Sequence, residues 1–160
     1  MSKRLDYQLQ SPELTKKLVE LSMAQRKTAS IEPALKHMLD LRASQMNGCG
    51  FCVDMHVKEA LAGGERQLRL HHVAIWRESD QFTPRERAAL AYTEALTELK
   101  PEGISDELYK TVREQFSEKE LSDLTFAIMT INAWNRVNVA FHTVPGSLDK
   151  AYGLDKVAVG

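Results

Sequence analysis

Cysteine is scarce in this chain, with two among 160 residues. That excludes a disulfide-stapled scaffold. Glycine and proline total 13 residues, too few for a collagenous or low-complexity chain. No run approaches the ~18 apolar residues of a membrane-spanning helix. The N-terminus, beginning Met1-Ser2-Lys3-Arg4-Leu5-Asp6, has no apolar stretch behind it and does not read as a signal peptide. Excess charge is also lacking: 21 Lys+Arg against 22 Asp+Glu give a formal charge of −1. Such a balance offers no general attraction to nucleic acid or to an anionic membrane. The 43% hydrophobic fraction is that of an ordinary globular chain. The length suits one domain, spanning 1–160, and the expected location is the cytoplasm.

Strand signals are missing too, since no stretch alternates apolar and polar residues between turn signals. Helix signals fill the chain instead. Ser11-Pro12-Glu13 offers a cap, a first-turn proline and an acid at the positive end of the helix dipole. Leu14, Leu18 and Leu21 then make one stripe. A second helix starts near Pro33, carries Leu35, Met38, Leu39, Ala43 and Met46, and ends at Asn47-Gly48. A third runs from the cysteines to about Ala62, and a fourth from about Glu65 to Arg77. Thr83-Pro84-Arg85-Glu86 and Ser117-Glu118-Lys119-Glu120 are capping boxes for a fifth helix and for a long last one reaching Phe141 or His142. Ser105 caps a short helix between them. The fold class is an all-α single-domain bundle.

The two cysteines lie three apart, as Cys49-Gly50-Phe51-Cys52, with His56 four residues further on. At ~100° per residue, Cys52 lies about −60° and His56 about −20° from Cys49 around the helix axis. All three share one face. The first helical turn favours a thiolate over a thiol, and an imidazole one turn away can accept a thiol proton. Three readings compete. A zinc site would need a fourth ligand from His37, His71, His72 or His142, none of which forms a second ligand pair. An inert buried pair leaves the flanking glycine and the aligned His56 without a purpose. A redox-active pair uses all three residues. Haem attachment is out because Val53, not histidine, follows the second cysteine. Asn132, Asn135, Arg136 and Asn138 interrupt the apolar pattern of the last helix, either as a solvated face or at an interface or thiol pocket.

The run from Leu41 to His56, with Ala74 to Arg77, Phe82 to Leu90 and Thr130 to Arg136, resembles the alkylhydroperoxidase D-like branch of the carboxymuconolactone decarboxylase family. The similarity covers about residues 31–146 and leaves 147–160 as a tail, loose or docking on another subunit. It implies a helical homo-oligomer, a trimer or hexamer, that reduces alkyl hydroperoxides by cycling the cysteine pair between dithiol and disulfide. Carried over by position, Cys52 attacks the peroxide, Cys49 resolves the sulfenic acid, and His56 relays protons. No cofactor or metal is implied. The reductant would be a dithiol protein, lipoyl-bearing or thioredoxin-like. From the residues alone the first attacker stays open, because helix position favours Cys49 and the imidazole favours Cys52. One position departs from the family pattern: His37 stands where a glutamate is common, twelve residues before the first cysteine. Either His37 fills that role or another acid does, with Glu86 a candidate. The alternatives are a general thiol–disulfide oxidoreductase and a non-enzymatic redox-sensing oligomer.

Overall fold

The computed structural model describes residues 3–28 and 30–158. Met1 and Ser2, where the N-terminal reading begins, and the last two tail residues lie outside the described residues. Among the described residues the chain forms nine α-helices, one 3₁₀ segment and no strand. They are α1 (Tyr7–Gln10), α2 (Pro12–Thr28), α3 (Pro33–Met46), α4 (Gly50–Ala62), α5 (Gln67–His72), the 3₁₀ segment Val73–Glu78, α6 (Pro84–Glu98), α7 (Asp106–Gln115), α8 (Glu118–Phe141) and α9 (Asp149–Tyr152).

Both capping boxes form. Thr83 Oγ1 accepts the Glu86 N–H at 3.2 Å while Glu86 Oε2 accepts the Thr83 N–H at 2.8 Å. Ser117 and Glu120 exchange the same pair of bonds at 3.3 and 2.7 Å. These satisfy backbone donors that a helix start otherwise leaves unpaired.

The predicted fourth helix breaks. It is α-helical only to His72 and continues as 3₁₀ turns, with Ile75 out of helical geometry at φ −122°. Trp76 is buried and its Nε1 donates to Glu94 at 2.8 Å. Arg87 donates to the carbonyls of Trp76, Arg77 and Ser79. A side chain from α6 thus satisfies carbonyls that a continued helix would have used.

The centre of the fold is α3, which packs against α4, α6 and α8. Its buried residues Leu35, Met38, Leu39, Leu41 and Ala43 face several directions, as a surrounded helix requires. Around it lie Val73, Leu90, Val112, Phe116, Leu124 and Ile128. Each large aliphatic side chain so buried contributes about 1.5–3 kcal/mol. A second, small cluster holds Cys49, Phe51 and Cys52, with Met55 and Leu148 packed on it.

The segment after Pro145 docks on its own chain. Leu148 covers the cysteine cluster, Asp149 pairs with Lys58 of α4 at 2.6 Å, and Leu154 is buried. Two leucines packed on the fold, and an acid opposite a lysine, hold this segment, so it is not a loose end.

Candidate functional site

The turn between α3 and α4 delivers the cysteines. Gly48 adopts φ +65°, in the left-handed region where a side chain would be strained. Cys49 N–H then donates to the Ser44 carbonyl at 3.0 Å. Asn47 Nδ2 donates to the side-chain oxygens of Asn132 and Asn135, each at 2.9 Å. Asn135 Nδ2 donates in turn to Ser44 Oγ at 3.0 Å. The asparagines of α8 are therefore buried partners of this turn and not a solvated face. Buried amides in a low-dielectric setting are stable only when paired, so the network also fixes the register of α8 on α3.

Cys49 is the N-cap of α4, and its Sγ accepts the Cys52 N–H at 3.3 Å. Cys49 and Cys52 are joined as a disulfide, with Cα atoms 5.3 Å apart, and each is 1% exposed. Asn138 Nδ2 lies 3.7 Å from Cys52 Sγ.

His56 is buried one turn beyond Cys52. Its Nδ1 meets Glu59 Oε2 at 2.8 Å and lies 3.8 Å from Asp40 Oδ2. Glu59 also sits 3.8 Å from His37 Nδ1 and 3.1 Å from the Arg26 guanidinium. Burial pushes the Glu59 carboxyl up, but the His56 hydrogen bond and the charges of His56, His37 and Arg26 outweigh it and hold the pKa at about 2. Glu59 is therefore an anion at neutral pH. A carboxylate against Nδ1 can only accept, so Nδ1 carries a proton and, in the neutral ring, Nε2 holds the lone pair. Nε2 is buried without a hydrogen-bond partner, leaving it free to take a proton. For His37, burial lowers the pKa against the opposing pull of Glu59 and Asp40. Asp40, almost fully buried, is paired with Lys36.

The structure thus brings Cys49, Cys52, His56 and His37 into one region. Glu86 goes elsewhere: its carboxylate pairs with Arg69 at 2.7 Å and with the Thr83 cap, on α6. The acid on His56 is Glu59, which sequence reasoning missed. A signal was present, because His56 and Glu59 are three apart on one helix and such pairs are neighbours. His72, considered as a metal ligand, meets Ser79 Oγ at 2.8 Å. Among the described residues no three His, Cys, Asp or Glu side chains converge to hold a metal ion, and no helix is long and apolar enough to cross a membrane.

Comparison with known proteins gives the same picture of the chain. The model of the carboxymuconolactone decarboxylase family matches residues 12–95. The uncharacterized protein YdfG of Bacillus subtilis is 38% identical over 140 residues, covering 88% of this chain and 95% of its own. The uncharacterized protein YnjA of Escherichia coli is 34% identical over 119 residues, 72% of this chain and 63% of its own. A crystal structure from Agrobacterium tumefaciens, of a protein of unknown function named as a candidate antioxidant defence protein AhpD, superposes with a TM-score of 0.86. It is 38% identical and covers 90% of this chain and 98% of its own. The debrominase Bmp8 shares the fold at a TM-score of 0.76 and 21% identity, over 93% of this chain and 79% of its own. The fold therefore carries more than one chemistry, and the side chains at the cysteine pair must decide between them.

Proposed function

Since the chain belongs to the carboxymuconolactone decarboxylase family, and is alkylhydroperoxidase D-like within it, we propose that it is a thiol peroxidase that reduces alkyl hydroperoxides through Cys49 and Cys52. The observation that carries this reading is His56, whose Nδ1 is fixed by anionic Glu59 and whose Nε2 is buried and unpartnered one turn from a cysteine pair.

Four steps follow from that arrangement. His56 Nε2 takes the proton of the Cys52 thiol. The thiolate attacks the peroxide: an S–O bond forms, the O–O bond breaks, and the departing alkoxide takes the proton back from His56. Cys49 then attacks Cys52 Sγ, the S–O bond breaks, and water leaves with the Cys49 proton. A dithiol reductant, lipoyl-bearing or thioredoxin-like, reopens the disulfide by exchange and is itself oxidised. Glu59 orients the imidazole and stabilises it when protonated, while His37, at the family glutamate's position, shares that carboxylate from α3.

The pair's need for continual reduction suits the cytoplasm. Assembly into a homo-oligomer is supported by Met23 of α2 and by Phe126 and Met129 of α8, each about half exposed at 52%, 50% and 48%.

The test is peroxide consumption with cumene hydroperoxide and hydrogen peroxide under excess dithiol. Turnover by the unaltered protein and its loss in Cys52→Ser are expected. Unchanged consumption in Cys52→Ser would overturn the reading. Rapid turnover of a small disulfide with none of peroxide would favour a thiol–disulfide oxidoreductase, and a subunit mass that changes with oxidation but no turnover would favour a redox sensor.

A further inference from the structure

Cys52 Sγ has a neighbour that the proton relay does not use. Asn138 of α8 is 4% exposed, and its Nδ2 donates to that sulfur at 3.7 Å. The amide is fixed from both ends. Nδ2 also donates to the Trp134 carbonyl at 3.0 Å, and Oδ1 accepts from the Tyr7 hydroxyl at 3.3 Å. Turned over, the amide would set oxygen against the Trp134 carbonyl oxygen, so the N–H is the end that faces sulfur. Burial pushes the Tyr7 pKa up, which keeps its hydroxyl a neutral donor.

We propose that Asn138 is a catalytic residue of the thiol chemistry, donating its N–H to the Cys52 thiolate, and that Tyr7 is the positioning residue that aims it. This rests on the reading of Cys52 as the attacking thiol. Thiol and disulfide sulfurs are weak acceptors, whereas a thiolate is anionic and accepts strongly. The bond therefore tightens in the charged form and draws the S–H equilibrium toward it, the proton passing to His56 Nε2. The two sulfurs are served differently. Cys49 Sγ takes the N–H of the helix start from Cys52, and Cys52 Sγ takes its donor across the fold from α8. A donor from outside the helix start is what the fold adds at Cys52, in keeping with the reading on which this proposal rests. Two titratable groups are linked to Cys52 by these contacts, His56 one turn along its own helix and Tyr7 from α1 through Asn138. A cavity of about 190 Å³ bordered by Tyr7, Thr143, Val144 and Leu148 lies on this side. Leu148 also packs on the cysteine cluster, so this cavity adjoins the cluster without having either sulfur in its lining.

The experiment uses full-length protein carrying Cys49→Ser, in which Cys52 is the single cysteine and the serine hydroxyl can still cap α4. Thiolate absorbance is followed against pH. In that background Asn138→Leu, which removes the donor, raises the Cys52 pKa by about one, so the thiolate fraction below the pKa falls about tenfold. Asn138→Asp, of nearly equal shape but anionic, raises it further, and Tyr7→Phe raises it less than either. A purely structural asparagine would change the melting temperature and leave this order absent. An unchanged Cys52 pKa in folded Asn138→Leu overturns the proposal. If neither Asn138 variant folds by circular dichroism, Tyr7→Phe decides: a rise supports it and no change overturns it. Because the readout needs no peroxide, its failure is distinct from a failure of the unaltered protein to consume peroxide.

Discussion

Replacing Glu59 by glutamine keeps the size of the side chain and removes its charge. In the folded protein the Glu59 pKa is held at about 2 against an ordinary 4.5. That difference of about 2.5, at ~1.36 kcal/mol each, corresponds to about 3 kcal/mol of preference for the anion in the folded state. The side chain is 15% exposed, so solvent screening removes little of it. A carboxylate with a depressed folded pKa stabilises the fold fully above its unfolded pKa, and the contribution is lost as pH falls from about 4.5 to about 2. Urea unfolding of the unaltered chain and of Glu59→Gln from about pH 7 to about pH 2 therefore gives a stability gap that shrinks by about 3 kcal/mol on acidification. Glu120, also held at about 2, titrates in both chains and cancels. The same substitution weakens the hold on His56 from a charge-assisted to a neutral hydrogen bond, about 1–1.5 kcal/mol, which slows peroxide reduction about tenfold. A gap that stays constant with pH would refute the idea that His56 and its neighbours hold Glu59 as an anion, and the relay with it.

Two other perturbations read different parts of the structure. Asn135→Ala removes the donor to Ser44 Oγ and one of the two acceptors of Asn47 Nδ2, while Ser44 keeps its bond to the Asp40 carbonyl and Asn47 its bond to Asn132, and urea unfolding should register a loss of about 1–2 kcal/mol; a loss under about 0.5 kcal/mol would mean the α8 asparagine network does not hold the cysteine turn. Lys58→Met removes ion pairs to Asp54 and Asp149 at 2.7 and 2.6 Å and loosens the segment that lays Leu148 over the disulfide. Dithiol reduction of the disulfide, timed by thiol release, should speed up severalfold while global stability changes by under about 1 kcal/mol; an unchanged rate would show that this segment does not limit access.

Much of this protein is legible before folding because its signals are local. The capping boxes at Thr83 and Ser117, the proline starts at Pro12 and Pro33, and the Asn47-Gly48 stop each act within one helical turn, and each lies where the helices begin or end. The broken helix after His72 was not legible, since its cause is Arg87, a side chain from another helix taking its carbonyls. The acid partner of His56 divides the same way. His37 and Glu86 came from a family pattern and from general chemistry, and only the first lies near the site. Glu59 was within reach of a purely local argument from helical spacing.

An all-helical chain with Cys49, Cys52 and His56 on one face at a helix start follows from 3.6-residue periodicity and first-turn capping, which need no distant contact. Helix packing, by contrast, set the environment of each sulfur. It buried the pair under Leu148 and aimed Asn138 at Cys52 through Tyr7, 131 residues away along the chain. It also brought Arg26 of α2 and His37 of α3 beside Glu59, and Asp40 of α3 beside His56. The reason is the same throughout: desolvation and charge act through space, and which groups share a low-dielectric site is set when the helices pack.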